Sequence, residues 1–345
     1  MMLLNGFYLI LKRGVKMTNL AAYIPKFKEQ KILLLGDLIA DEFITGQPER
    51  LSREAPVLIL RHESEEILPG GGANAANNLA ALGSQVHLAG LVGDDVVGKK
   101  FKSQLDELGM ATEGVVVDSN RPTSVKTRIL AGGGQTVKQQ VTRIDKLDQS
   151  LISDEIERRL IAYLKKAITK VDAVLLSDYG NGIFRDSLKK EAIAIANEHD
   201  KIIALDSRYQ LTIFKGVSIA TPNKEETEKA VGFTLDSEEK ITKAGWQLKK
   251  ELEADAMLIT LGGEGMQIFT EQGTTKIPAS NYTEVYDVTG AGDTVIATLT
   301  LALASGASMV EAMKLANYAA GIVIRKAGVA TVAPEELEEQ LVVDS

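Results

Sequence analysis

Short apolar runs recur along the chain at Ile32–Leu35, Val86–Leu91, Ala173–Leu176, Ile202–Leu205, Val217–Ala220 and Met257–Leu261, most of them bounded by Gly, Asp, Ser or Asn. Continuous runs this short predict strands buried on both faces. Between them, Val97–Leu108, Glu155–Thr169, Ser187–Asn197 and Glu238–Leu252 space their apolar residues as helices do. Strands alternating with helices imply right-handed βαβ crossovers and a mostly parallel sheet covered on both sides, an α/β sandwich. Two segments break the rhythm. Phe43–Arg61 and Val115–Ile144 carry β-type patterns (VLILR at 57–61, SVKTRIL at 124–130, TVKQQVTRI at 136–144) with no useful helix among them. They predict extra strands that leave the main sheet and flank the glycine-rich stretch 67–91. Such a sheet reads either as a lid over a cleft or as an ordinary edge extension. No repeat, low-complexity tract or Pro/Ser-rich linker divides residues 17–345, which are expected to form one domain.

Composition narrows the function classes. The 345 residues are 45% apolar and 25% charged, as in an ordinary globular protein. With 39 Lys+Arg against 47 Asp+Glu the formal net charge is −8, which argues against a nucleic-acid partner. Absence of cysteine excludes disulfides, a thiol nucleophile and Cys-ligated zinc. The three histidines, His62, His87 and His199, lie in separate segments and make a histidine metal site improbable. The first sixteen residues, MMLLNGFYLILKRGVK, place apolar residues before basic ones, the reverse of a secretory signal. Their apolar stretch is also far shorter than the roughly 20 residues that span a bilayer. Residues 1–16 therefore read as a non-native or vestigial extension ahead of Met17, or as an extra helix, and a cytoplasmic location without membrane contact is expected.

The most informative stretch is Val285-Tyr-Asp-Val-Thr-Gly-Ala-Gly-Asp-Thr294, followed by the run VIATLTLALASG. Gly290 and Gly292 permit a tight turn into a helix, and a helix N-terminus offers unpaired N–H donors to an anion. Asp293 then reads in two ways: as an N-terminal cap, or as a general base beside a phosphoryl acceptor. The residues alone leave both open.

Asp-Val-Thr-Gly-Ala-Gly-Asp at 287–293 resembles the C-terminal signature of the ribokinase-like (PfkB) carbohydrate kinase family. Pro69-Gly-Gly-Gly-Ala-Asn-Ala-Ala-Asn-Asn-Leu-Ala-Ala-Leu-Gly83 resembles its N-terminal signature. More narrowly, GDLIADEFITG, LSREAPV, LPGGGANAANNLA, LSDYGNG, YDVTGAGDTV and AGIVIRKAGVATV look like the heptose-7-phosphate kinase domain of the bifunctional proteins of ADP-heptose synthesis, a likeness running from about Lys31 to Pro334. The resemblance implies a three-layer α/β/α sandwich with a small β-sheet lid, and an ATP- and Mg²⁺-dependent sugar kinase. A monovalent cation is a further candidate cofactor. By the same resemblance Asp293 is the catalytic base and Gly290, Ala291 and Gly292 form the anion hole. The acceptor sugar meets Asp37, Gly71, Gly72 and Asn74. ATP meets Asn223, Glu226, Thr260, Gly262, Gly265 and Asn317, with Glu226 acting on Mg²⁺ through water.

Each of these has a plainer reading. Asp41 is a sugar ligand or a turn residue, and Asn77 and Asn78 contact the sugar or merely pack. Asn223 and Glu226 also suit a helix start, and Asn317 also suits a buried packing position. If the acceptor carries its own phosphate, Lys126, Arg128 and above all Arg143 are the lid cations expected to face the cleft, against a solvated strand edge as the alternative. The heptose kinases usually carry a lysine where this chain has Asn181, which puts the phosphate contacts in doubt; Asp178 and Tyr179 remain. No nucleotidyltransferase signature follows Pro334, so the kinase half alone is expected. The expected acceptor is heptose 7-phosphate at its anomeric oxygen, with ribose, fructose or fructose 6-phosphate as rivals. A non-catalytic sugar- or nucleotide-binding protein is the rival from another class. No Gly-x-Gly-x-x-Gly follows Ile32–Leu35, against a dehydrogenase. An exposed lid edge pairing with its copy predicts a homodimer.

Overall fold

The computed structural model describes residues 20–132, 138–280 and 285–343. The extension at 1–16 lies outside these residues. The strands are β1 (Lys31–Gly36), β2 (Leu38–Leu51), β3 (Leu58–Gly71), β4 (Gln85–Gly93), β5 (Ala111–Asp118), β6 (Ser124–Ala131), β7 (Gln139–Lys146), β8 (Ala173–Asp178), β9 (Ile202–Ser207), β10 (Ile219–Ala220), β11 (Ala256–Thr260), β12 (Met266–Thr270) and β13 (Gly273–Ile277). The α-helices are α1 (Gly72–Ala81), α2 (Val96–Glu107), α3 (Asp154–Ala167), α4 (Asp186–Glu198), α5 (Lys224–Val231), α6 (Glu238–Glu251), α7 (Ala291–Ala304), α8 (Met309–Val323) and α9 (Pro334–Val343).

The six apolar runs all fall in one nine-stranded sheet of order β13-β12-β11-β10-β9-β8-β1-β4-β5. Pairing is parallel from β5 to β11, and β12 and β13 close the far edge as an antiparallel hairpin. Leu33 and Leu35 belong to the apolar core on one face, Ile32 and Leu34 to that on the other, as continuous apolar strands require. Three of the four predicted helices begin where a side chain takes an orphan N–H. Asp95 accepts from Gly98 at 2.8 Å, Ser153 from Ile156 at 3.3 Å and Ser237 from Lys240 at 3.3 Å. Among the described residues no helix is long and apolar enough to cross a membrane.

The sheet order reverses at β1, whose neighbours β4 and β8 are reached in opposite directions. A crevice opens beyond the carboxyl ends of such strands. Here the chain does not turn into a helix at once. It runs one residue beyond Gly36 into β2, returns as β3, and only then starts α1. With β6 and β7 these strands make a second sheet of order β3-β2-β6-β7, in which β2 and β6 are parallel.

That sheet differs in extent from the expected one. Its first excursion begins at Leu38 rather than Phe43 and continues to Gly71. Residues 115–118 belong instead to the edge strand of the main sheet, where Val115 pairs with Gly90 and Val116 with Leu91. The Val115 and Val116 side chains are buried in the main cores, and a short turn at Asn120–Thr123 separates them from β6.

Helix α7 is apolar on every side and buried along its length, packed between α1, α8 and the sheet. Across the sheet, Gly245 in α6 lies under the Phe269 ring, leaving no room for a β-carbon. Gly245→Ala gains about 1 kcal/mol of helix propensity but overpacks a filled site at about 1–3 kcal/mol. A net destabilisation of about 1 kcal/mol is expected in urea unfolding, and an unchanged or raised midpoint would contradict this packing.

Candidate active site

Asp293 sits in the first turn of α7, buried, with Gly290 as the N-cap at φ 80°. A β-carbon on Gly290 would stand 2.7 Å from Asn74 Nδ2, so this position needs glycine for both its φ and its neighbour. The space left open lets the Asn74 amide donate to Asp293 Oδ2 at 2.7 Å, while the Tyr179 hydroxyl donates to Oδ1 at 2.7 Å. One helical turn along α1, Asn78 donates to the Asn74 carbonyl at 2.9 Å and accepts from the Thr294 hydroxyl at 2.8 Å. Asn78 thus clamps α1 to α7. Burial raises the Asp293 carboxyl to about 6, against the pull of the Tyr179 and Asn74 hydrogen bonds and of Arg208.

A cleft of about 560 Å³ opens in front of Asp293. Its lid side carries Asp41, Gly70, Lys126, Arg128, Gln140 and Arg143. Arg128 pairs with buried Asp41 at 2.8 Å, and Lys126 and Arg143 both hold Asp145, at 3.1 and 2.8 Å. Despite partial burial, Arg143 and Lys126 keep the Asp145 carboxyl below its ordinary range. All three cations line the cleft, as a lid facing inward requires. The opposite wall carries Asp206, Arg208, Thr221, Asn223 and Glu226. The Arg208 guanidinium stacks 4.2 Å over the Tyr179 ring. Burial pushes Asp206 well above the carboxylate range, helped by the charges of Asp293 and Glu226.

A second cavity of about 240 Å³ adjoins the first through shared Thr260, Val288 and Gly292. Its walls include Gly262, Gly265, Met266, Val295, Asn317 and Ile324, a mostly apolar set that suits a flat ring. Asn317 lines it while donating to the Pro278 carbonyl at 2.9 Å. Gly265, at φ 89°, has the Ile277 carbonyl where a side chain would go.

Several expected site residues have other work. Asp37 is absent from the cleft wall. Its Oδ2 accepts the backbone N–H of Tyr179 at 2.8 Å and of Asn181 at 3.1 Å, so it ties β1 to the loop after β8. Asp41, left open as a turn residue, faces the cleft from the lid side, and a β-carbon on Gly70 would collide with it. Gly71 lines the cleft, whereas Gly72 is buried and its N–H goes to the Asp37 carbonyl at 2.9 Å. The Ala291 N–H bonds to the Val288 carbonyl at 3.2 Å, which leaves the next first-turn N–H groups, of Gly292 and Asp293, for an anion. Asn223 and Glu226 form a full capping box at the start of α5, yet both also line the cleft. Asn181 is buried off the cleft wall, with its Nδ2 unpartnered, so no cation is offered there. Sequence reasoning missed Asp206 and Arg208; the only signal was their place at the end of the apolar run Ile202–Leu205, next to the strand that ends at Asp178.

Residues 29–336 match the model of the pfkB family carbohydrate kinases. The chain belongs to this family. It is 39% identical over 310 residues to the bifunctional protein HldE of a Nitratiruptor species, an alignment that covers 90% of this chain and 64% of that protein. With the bifunctional protein HldE of Helicobacter pylori (strain J99) the identity is 41% over 309 residues, covering 89% and 65%. The chain therefore spans less than two thirds of the length of these relatives. Among solved structures, ribokinase of Arabidopsis thaliana complexed with ribose and ATP superposes with a TM-score of 0.69 at 21% identity, over 90% of this chain and 98% of that one. Phosphofructokinase-2 from Escherichia coli in complex with potassium gives 0.72 at 16%, over 91% and 98%. These likenesses establish the ribokinase-like fold, and the family makes the protein a sugar kinase.

Asp37 supplies a stability test for this reading of the site. Burial, with Asp178 nearby, raises its carboxyl to about 7 against backbone hydrogen bonds from Asn181, Tyr179 and Ile183. Between about pH 4 and 7 the folded state thus holds a proton that the unfolded chain has lost, so this group makes stability fall as pH rises through that window. Asp37→Asn removes the titration. The loss of unfolding free energy between pH 4.5 and 7.5, measured in urea, is expected to be smaller in the variant; an equal loss in both would refute a buried, proton-holding Asp37.

Proposed function

We propose that this PfkB-family kinase transfers the γ-phosphoryl group of ATP to a sugar phosphate, with D-glycero-D-manno-heptose 7-phosphate as acceptor and its O1 as nucleophile. The observation that carries the reading is the cluster of Lys126, Arg128 and Arg143 on the lid side of the cleft, across from Asp293. A phosphorylated sugar places its dianion on those cations and its far hydroxyl toward the base. An unphosphorylated sugar such as ribose or fructose has no use for them, and fructose 6-phosphate remains the rival with a phosphate. The sequence likeness to the heptose-7-phosphate kinases and the identity with the HldE proteins support the choice of heptose.

Asp293, kept ionised near neutrality, accepts the proton of the attacking hydroxyl. Asn74 and Tyr179 hold its two oxygens, and the N–H groups of Gly292 and Asp293 face the charge that develops on the transferring group. Arg208 adds positive charge on the donor side, where Asn223 and Thr260 border the passage to the apolar cavity taken by the adenine. Phosphoryl transfer of this kind is achieved mostly by positioning and charge stabilisation. The donor wall also fits Mg²⁺: Asp206 and Glu226, both raised first of all by burial, are carboxylates that a divalent cation would relieve. Among the described residues no three His, Cys, Asp or Glu side chains converge on one point, so the ion would keep water and phosphate oxygens as most of its ligands. When bound it neutralises charge on the β- and γ-oxygens. A monovalent cation is proposed as an activator only from the potassium complex of the Escherichia coli neighbour.

ADP release from Mg-ATP is the test, with heptose 7-phosphate, fructose 6-phosphate, ribose and fructose as acceptors. Turnover is expected on heptose 7-phosphate and is expected to fall by at least about 10²-fold in Asp293→Asn. Lys126→Ala and Arg143→Ala should each raise KM for the acceptor by about tenfold and leave KM for ATP unchanged. Turnover on ribose or fructose alone would move the acceptor, and none on any would favour a binding protein. The β7 edge of the lid is exposed along all eight residues, and we propose that it pairs with a second copy. Light scattering at micromolar concentration is expected to give the mass of a dimer; a monomer would refute the pairing.

A further inference from the structure

Tyr179 lies at the seam between the acceptor and donor sides of the cleft. Its hydroxyl donates to Asp293 Oδ1 at 2.7 Å, and its ring supports the Arg208 guanidinium at 4.2 Å. The backbone under it is fixed independently: Asp37 takes its N–H at 2.8 Å, and Asp178 takes the next, that of Gly180, at 3.0 Å. Asp178 is itself held by the Ser207 hydroxyl at 2.9 Å, in the strand that leads to Arg208. So much anchoring of one short loop leaves the phenol little freedom except to face Asp293.

We propose that Tyr179 is a positioning residue for phosphoryl transfer: its hydroxyl fixes the Asp293 carboxylate as a proton acceptor, and its ring holds Arg208 toward the donor phosphates. This rests on the reading of Asp293 as the base. In the reaction a bond forms between the acceptor oxygen and the γ-phosphorus, the bond from that phosphorus to the β–γ bridging oxygen breaks, and the acceptor proton passes to Asp293. A base that must lie buried and yet be ionised needs donors that hold its charge without neutralising it. The Asn74 amide and a phenol are such donors. Burial, with Asp293 alongside, drives Tyr179 well above its ordinary range, so the phenol keeps its proton and remains a donor. The other charged groups facing Asp293 are Arg208 and Asp206 at the end of β9 and Asp41 on β2, and all three stay in place when only the hydroxyl is removed.

Tyr179→Phe keeps the ring and deletes the donor. With ¹³Cγ-labelled aspartate and Asp293→Asn to assign the signal, the titration midpoint of Asp293 is expected to rise by about one pH unit in the ligand-free variant. The acid limb of kcat/KM for heptose 7-phosphate should move up with it, while KM for ATP stays put. Tyr179→Leu should in addition raise KM for ATP, because Arg208 loses its platform. A midpoint and acid limb unmoved in Tyr179→Phe, or a loss of rate equal at every pH, would overturn the role of the hydroxyl. Equal ATP KM in the Phe and Leu variants would overturn the role of the ring. If Asp293→Asn retains full turnover, the base reading itself fails, an outcome separate from either.

Discussion

Placing an ionisable carboxylate inside an otherwise apolar helix is costly unless the charge is held by well-aimed partners. Asp293 is in that position, the one charged residue of a helix otherwise built of apolar residues, glycine and threonines. The offsetting interactions come from three directions. The N-terminus of α7 is the positive end of its own helix, Asn74 reaches across from α1, and Tyr179 reaches from the end of β8. Each approach depends on how the backbone is placed. Asn74 arrives because Gly290 has no β-carbon, and Tyr179 arrives because β1 and β8 lie side by side with Asp37 pinning the loop. The two glycine-rich segments, roughly 220 residues apart in the chain, are thus one contact.

The same constraint explains why the lid grows from where it does. At the reversal of strand order the crevice beyond β1 is the natural place for a ligand. A helix placed directly after β1 would fill it. Instead the chain continues as strand, so that β2 and β3 rise over the crevice and α1 begins only at Gly72, with Asn74 in its first turn. The Gly72 N–H then binds the Asp37 carbonyl, closing the base of the excursion. One detour supplies a wall of the cleft and the start of the helix whose Asn74 holds Asp293.

Features that are local in the chain were legible in the sequence. Apolar runs gave the main sheet, and the glycines of 290–292 announced a turn into a helix because backbone conformation and close approach constrain those positions directly. What depended on where a strand ends was harder. Asp37 follows an apolar run and so reads as a residue in the mouth of the cleft. The strand resumes at Leu38, however, and Asp37 turns inward to backbone N–H groups while Asp41, further along the new strand, faces the cleft beside Gly70. The valines at 115–117 likewise read as lid because they precede more β-pattern, yet they have the continuous apolar character of the buried sheet. Asp206 and Arg208 carry no motif at all, and the run around Tyr179 says nothing of what its side chain meets. They meet because β8 and β9 pair in parallel with Asp178 opposite Ser207, a register that no single segment encodes.

The proposed reaction would have a net-acidic protein handle anions at both ends of its cleft, and the arrangement of charge there bears on how. The lid cations are not left bare. Asp145 engages both Lys126 and Arg143, and Asp41 engages Arg128. The Arg143 pair is half open to water, where such an interaction contributes about 0–1 kcal/mol, whereas Arg128 and Asp41 are largely desolvated and more firmly fixed. An acceptor phosphate therefore competes with Asp145 on unequal terms. It brings two charges to cations that a single carboxylate holds weakly, and it meets in Arg128 a cation that is already oriented. On the proposed reading, selectivity for a phosphorylated acceptor would rest as much on the weakness of the Asp145 pairs as on the number of cations. A neutral sugar cannot displace Asp145, and the lid is left in the paired state it already has.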